Sequence, residues 1–231
     1  MANSEQLLQI KKGVNHWLGW RERESYILID LREANLVDVN LEHIYLTKAN
    51  LVKVRFRKSN LNHANFSGAD LANADMRQCS LVDACFMYAN MIACDLRGSN
   101  LRNANLSQTN LIGANLRKTQ LNFADLSSSQ LQRSNLSEAY LIESNLAEAN
   151  LSYANLYEAE LVGSLLYKAN LTSAQLINAH LSKACLIQAD FSGADLRGAD
   201  LRWCNLNRAI LRNANLQGAN LQGANLQGTV L

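Results

Sequence analysis

The segment Ala69-Asp70-Leu71-Ala72-Asn73-Ala74-Asp75-Met76-Arg77-Gln78 decides how this chain folds, because it states one five-residue pattern twice. A small residue, then Asn or Asp, then a large apolar residue come in that order, followed by two variable positions. Outward from this segment, every fifth position from Leu31 to Leu231 is Leu, Phe or Met, 41 positions without a slip. The departures from Leu are Phe56, Phe66, Phe86, Phe191, Met76 and Met91. This large residue is the centre of each repeat. Two places before it, every position from Ser59 to Thr229 is Ala, Ser, Thr or Cys, while Ile29, Val39, Ile44 and Val54 are larger. Asn or Asp directly precedes 27 of the centres, so that pairing is a rule of the chain rather than a local accident.

Neither regular element can bury such a pattern. A helix turns by about 100° per residue, so a step of five smears the large residue around the cylinder. A strand alternates faces, so a step of five sends successive leucines to opposite sides. The chain must change direction within every repeat. Asn and Asp suit that task because their short side chains bond nearby backbone. The nine glycines of this region all stand two places after a centre, where a bend gains from a missing Cβ. A chain that turns so regularly is a solenoid whose coils pair through backbone hydrogen bonds, and the need for every N–H accounts for the absence of proline.

The composition agrees. The chain has 231 residues, 48% apolar and only 6% aromatic, with a formal charge of +2. The core must therefore be aliphatic, and the near-neutral balance opposes a strongly nucleic-acid-binding or nucleic-acid-mimicking surface. No stretch approaches 18 consecutive apolar residues and no signal-like apolar core follows Met1, so neither a membrane span nor secretion is expected. Five cysteines without a C-x-x-C pair suit a reducing, cytoplasmic setting.

Runs such as Ala69-Asp70-Leu71-Ala72-Asn73, Ala104-Asn105-Leu106-Ser107-Gln108 and Ala219-Asn220-Leu221-Gln222-Gly223 resemble the A(D/N)LXX unit of pentapeptide-repeat proteins. The resemblance implies an all-β fold, a right-handed, four-sided parallel β-helix with four repeats per coil and about ten coils over residues 26–231. Residues 1–25 lack the period and form a separate N-terminal cap. Similar leader segments occur in cyanobacterial members of the family.

Within that leader, residues 4–24 read as helix, with Ser4 as N-cap and Gly13 as an interruption. Leu7, Ile10, Val14, Trp17 and Leu18 fall on one stripe. This helix is expected to cover the raw edge of the first coil, where Ile29, Val39, Ile44 and Val54 fill a wider interior. At the other end, near-perfect repeats run to Leu231, and the exposed edge suggests a homodimer through the C-terminal coils.

Positions twenty apart should stack, so Arg57, Arg77, Arg97 and Arg117 form a column, supported by Arg55, Lys58 and Lys118. Val52, Ala72, Ile92 and Ile112 form an apolar column beside it, a composition typical of interfaces. Between Arg133 and Lys168 lies an acidic, tyrosine-rich zone with Glu138, Glu143, Glu148, Glu158 and Glu160 beside Tyr140, Tyr153, Tyr157 and Tyr167, a candidate protein-binding patch. Arginines return at Arg197, Arg202, Arg208 and Arg212.

No phosphate-loop, zinc-protease or nucleophile-elbow motif is present, and an uninterrupted rod offers no catalytic cleft. No catalytic residue, cofactor or metal site is expected. His43 and His63 stack but lack a third ligand. Cys79, Cys94 and Cys204 are core fillers, while Cys85 and Cys185 occupy the Asn/Asp position for no evident reason. The function expected is a non-catalytic protein–protein interaction scaffold or regulatory module with an unspecified protein partner. The alternatives are a DNA mimic acting on DNA gyrase, as in quinolone-resistance relatives, and direct nucleic-acid binding by the arginine column.

Overall fold

The computed structural model describes residues 2–231. Two helices, α1 (Ser4–Lys11) and α2 (Val14–Arg23), precede a continuous four-sided coil. Each Asn/Asp position pairs in parallel with the residue twenty places on, from Asp30 with Asn50 to Ile210 with Val230. Twenty residues therefore make one coil, five to a side, and equivalent positions stack along the rod.

One repeat shows where the backbone hydrogen bonds go. The N–H of Leu71 donates to Asn90 O (2.7 Å), Asn73 to Ile92 O (2.9 Å), and Asp75 back to Val54 O (2.9 Å). Ala74 N–H closes a tight turn on Leu71 O (3.0 Å). The remaining donor, Ala72 N–H, is taken by the Asp70 carboxylate (3.1 Å). The recurring Asn or Asp thus satisfies the one backbone donor that the ladder leaves over. This corrects the sequence account of proline: four of the five N–H groups bar it, but the fifth bonds only to a side chain, and hydrogen bonding does not exclude proline there.

Every residue two places after a centre, from Glu33 to Gly228, has φ between 53° and 73°. These are the left-handed corners of type II-like turns. Glycine is favoured most at Gly223, where an added Cβ would meet the ring of Trp203 one coil below and force that exposed side chain to move.

The centres are buried from Leu31 to Leu211, and the inward small residues pack between them. Phe66 and Phe86 stack at 5.0 Å, with Phe56 edge-on to Phe66 at 5.9 Å. Inward hydroxyls find carbonyls. Ser99 Oγ donates to Met76 O (2.6 Å) and accepts from Cys79 N–H (3.1 Å), standing in for that turn's own bond. Ser129 Oγ is buried with no partner among the described residues. Ser129→Ala is accordingly expected to raise stability by about 1 kcal/mol. Ser99→Ala, which removes two buried hydrogen bonds and leaves Cys79 N–H to close its turn directly on Met76 O, should lower it by about 1 kcal/mol. Paired thermal melts check this, and a shift of the same sign in both variants would contradict it.

The helical segment covers the first coil, with corrections in detail. The N-cap is Asn3, not Ser4; its side chain accepts from Glu5 and Gln6 N–H. Of the expected stripe only Ile10 and Trp17 are fully buried, whereas Leu7, Val14 and Leu18 are half-buried. Gly13, with φ of 97°, separates the helices and resets the register, so Trp20 is buried instead. Gln6 was overlooked. Its amide donates to Leu28 O (2.9 Å) and accepts from Asp30 N–H (2.7 Å), completing the bare edge of the ladder. Trp17 Nε1 donates to Tyr45 O (3.3 Å). Ile29, Ile44 and Val54 are buried, but Val39 is only partly covered. At the opposite end Leu216 and Leu221 are half-buried and Leu226 is exposed.

Candidate functional site on the sides and corners of the rod

Each corner presents two outward positions, the residues one and two places after a centre. Val52, Ala72, Ile92 and Ile112 do line one corner, and Ile92 and Ile112 are 38% and 36% exposed. The two-places positions of that corner bring Ala93, Gly113, Arg133 and Tyr153 beside them, with Arg133 over the Tyr153 ring (6.0 Å). Tyr153 therefore belongs to the apolar ridge and not to an acidic patch. The next corner carries Arg57, Arg77, Arg97 and Arg117, and the side between the two corners bears the ladder Asp75, Asp95, Asn115 and Asn135.

The arginines are not free cations. Arg77 and Arg97 each bond the Asp two residues earlier in bidentate fashion, Arg77 to Asp75 at 2.7 Å and Arg97 to Asp95 at 2.6 Å and 2.9 Å. Arg117 and Lys118 share Glu138, at 2.6 Å and 3.0 Å. Arg57 makes no bond to a carboxylate among the described residues, and its charge reaches Asp75 only through space. Hydrogen bonding from Arg77 holds the Asp75 carboxyl below the usual range, and that from Arg117 and Lys118 does the same for Glu138. Each pair is substantially exposed and screened by solvent, so it mainly fixes side-chain direction. The sequence carried this signal. Asp30-Leu31-Arg32, Asp75-Met76-Arg77, Asp95-Leu96-Arg97, Asp195-Leu196-Arg197 and Asp200-Leu201-Arg202 all form the same bridge.

The acidic zone is a ring, not a patch. Glu143 and Glu148 occupy two further corners, because five residues along the chain is a quarter turn around the rod. Only Glu138, Tyr140, Tyr157, Glu158 and Glu160 gather, and they continue the arginine corner. There Glu138, Tyr140, Glu158 and Glu160 border a shallow groove with Asn178 and His180. His180 Nδ1 lies 3.0 Å from Glu160, and the neighbouring Glu158 raises the Tyr157 hydroxyl.

On a third corner the imidazoles of His43 and His63 stack at 4.6 Å, 9° from parallel. Glu42 supplies the third ligand-capable group that the sequence reading had missed, since ligand atoms of all three lie within 4.8 Å of one another. Its signal was simple adjacency, because Glu42 and His43 are the two outward residues of one corner.

The thiols fall into two groups. Burial pushes Cys79 and Cys204 up to about 12 and Cys94 well upward, and all three donate to carbonyls, so they are inert. Cys85 Sγ contacts Ser67 Oγ (3.1 Å), which gives it a local bond in place of the usual amide. Nothing in the structure explains Cys185.

Stacked quadrilateral coils of twenty residues define the class, a parallel β-helix of pentapeptide repeats. The family model described as pentapeptide repeats (8 copies) matches residues 29–62, 59–98, 94–129, 129–166, 154–193 and 194–231, and the chain belongs to this family, whose β-helices are right-handed. Among solved structures, HetL from the cyanobacterium Nostoc sp. strain PCC 7120, a pentapeptide repeat protein involved in heterocyst differentiation regulation, is 33% identical. The match covers 91% of this chain and 92% of that one, with a TM-score of 0.49. Full-length QnrB1, a plasmid-mediated fluoroquinolone resistance protein, is 19% identical over 83% of this chain and 92% of that one (TM-score 0.40). Rfr23 from the cyanobacterium Cyanothece 51142 is 27% identical over 59% and 90% (TM-score 0.26). Among curated proteins, none matches.

Proposed function

We propose that this protein is a non-catalytic interaction scaffold that docks a protein partner on the side bounded by Ile92, Ile112 and Tyr153 at one corner and by Arg77, Arg97 and Arg117 at the next. The observation that carries this reading is the exposed apolar ridge facing, across a ladder of Asp and Asn, a row of arginines already oriented by carboxylates. Apolar anchors beside pre-positioned arginines are the composition of binding hot spots. The ladder holds the backbone, so docking there orders little chain and loses little entropy.

A gyrase-directed DNA mimic needs a continuous acidic strip. At and beside the arginine corner the carboxylates Glu138, Glu158 and Glu160 are confined to the middle coils, and Glu138 is neutralised by Arg117 and Lys118 while Glu160 lies against His180. Direct nucleic-acid binding needs arginines free for phosphate, and three of the four are held by Asp75, Asp95 and Glu138.

Affinity capture from the native host, followed by direct titration of the captured partner, tests the proposal. Ile92→Asp with Arg97→Glu should weaken binding about 100-fold or more, as for two hot-spot residues. Ser128→Asp, an added charge on another corner, should leave it unchanged. Identical partners and affinities for all three proteins would show that this side is not the docking surface.

A further inference from the structure

We infer that Glu42, His43 and His63 form a binding site for a divalent transition ion of the zinc class, at the corner where the helical cap meets the first coils. Two imidazoles and a carboxylate are the donor set of three-ligand zinc sites that keep a fourth position for water, and imidazole suits this class of ion over calcium or magnesium.

Both histidines stand at left-handed corners, φ 63° and 56°, and their N–H groups bond Asn62 O and Val82 O (both 2.9 Å). The ladder thus fixes the two side chains one coil apart on a rigid base. An outer partner orients one of the three ligands, and a carboxylate stands near a second. Asn60 Nδ2 donates to Glu42 Oε2 (3.2 Å), leaving Oε1 toward His43 Nε2 at 3.9 Å. Asp83 lies 3.7 Å from His63 Nδ1, too far for a hydrogen bond but near enough to favour a cation at this corner and to draw Nδ1–H toward it as the ring turns. Ligand atoms in a tetrahedral zinc shell lie about 3.4 Å apart. The ligand atoms have to draw in by roughly 1.4 Å from their present 4.8 Å, and the two imidazoles, now stacked 9° from parallel, have to turn so that their nitrogens converge, which their solvent exposure permits.

The bound ion would join Glu42 and His43 of the first coil to His63 of the second. Glu42 and His43 also border a groove of about 440 Å³ with Gly13, Val14, Asn15 and Leu18 of the cap. Occupancy would therefore stabilise the capped end by mass action, since the unfolded chain does not assemble the three ligands.

Titration of the whole protein with Zn²⁺ by calorimetry, and with Co²⁺ by visible absorption, tests the site. One ion per chain is expected, with a rise in melting temperature on zinc addition and a tetrahedral Co²⁺ spectrum. His43→Asn and His63→Asn, which keep a residue tolerant of the left-handed corner, should each weaken binding about 100-fold. Glu42→Gln and Asp83→Asn should each weaken it about tenfold. His180→Asn, beside Glu160 on another part of the rod, should bind as wild type. Circular dichroism checks that each variant is folded. Unchanged zinc binding in the double variant H43N/H63N, or no uptake by the wild type at millimolar zinc, would overturn the assignment.

Discussion

Deleting Leu101–Gln120 is expected to leave a folded rod, one coil shorter, with Glu138 now above Arg97 in place of Arg117. Deleting Leu101–Asn103 is expected to abolish the fold of the adjoining coils. The reason is the bookkeeping of the period. Twenty residues are one circuit, so the first deletion returns every later centre to its own column and removes about 5 Å of length, one strand spacing. Three residues are not a multiple of five, so Leu106 and its neighbours would leave the interior and the parallel ladder would lose its register. Four buried centres per coil are worth roughly 6–12 kcal/mol of apolar burial, comparable with the stability of a whole domain. Deleting Leu101–Asn105 is the informative intermediate. The interior survives because all four sides share one pattern, but every later surface column rotates by one side, and Arg117 joins the corner of Ile92. Small-angle scattering for length and thermal denaturation for stability decide the series. A three-residue deletion as stable as the twenty-residue one would refute the argument.

Trp17→Ala is expected to cost about 3–5 kcal/mol locally, the usual range for emptying a large aromatic site. Trp17 is fully buried, packs on Trp20 at 5.3 Å and donates to Tyr45 O, so its loss leaves a cavity and takes the indole donor from the Tyr45 carbonyl. Solenoid coils touch only their neighbours, so the effect should be graded along the rod rather than global. Amide exchange should accelerate in residues 30–49 and stay unchanged beyond about the middle of the chain. Uniform acceleration from end to end would mean the rod unfolds as one unit.

The two largest surface surprises were both legible after the fact. Stacking alone predicts the arginine column but not its partners, yet Asp75-Met76-Arg77 and Asp95-Leu96-Arg97 place acid and base two residues apart across a fixed bend, so their pairing is local. Glu42 stands directly before His43, so the two outward residues of one corner already carry two of the three ligand-capable groups. Gln6 was not legible in this way. Its burial follows from the docking of α1 against Leu28 and Asp30, which no periodicity of the helix encodes. The same holds for Val14 and Leu18, which pack against the core only in part, since the backbone at Gly13 resets which face of α2 meets the rod.

By itself the sequence determined the interior: a large residue each fifth place, a small one two before it, and a turn between, because only a chain bending at that interval hides all the centres. It also determined which residues share a column once a coil is known to hold twenty. The tertiary structure alone decided what those columns do. Whether Arg117 faces solvent or Glu138, and whether the ligand atoms of Glu42 come within reach of His63, depend on distances between coils and around corners. Those distances arise from the width of the packed core and from side-chain torsions, neither of which a one-dimensional repeat specifies.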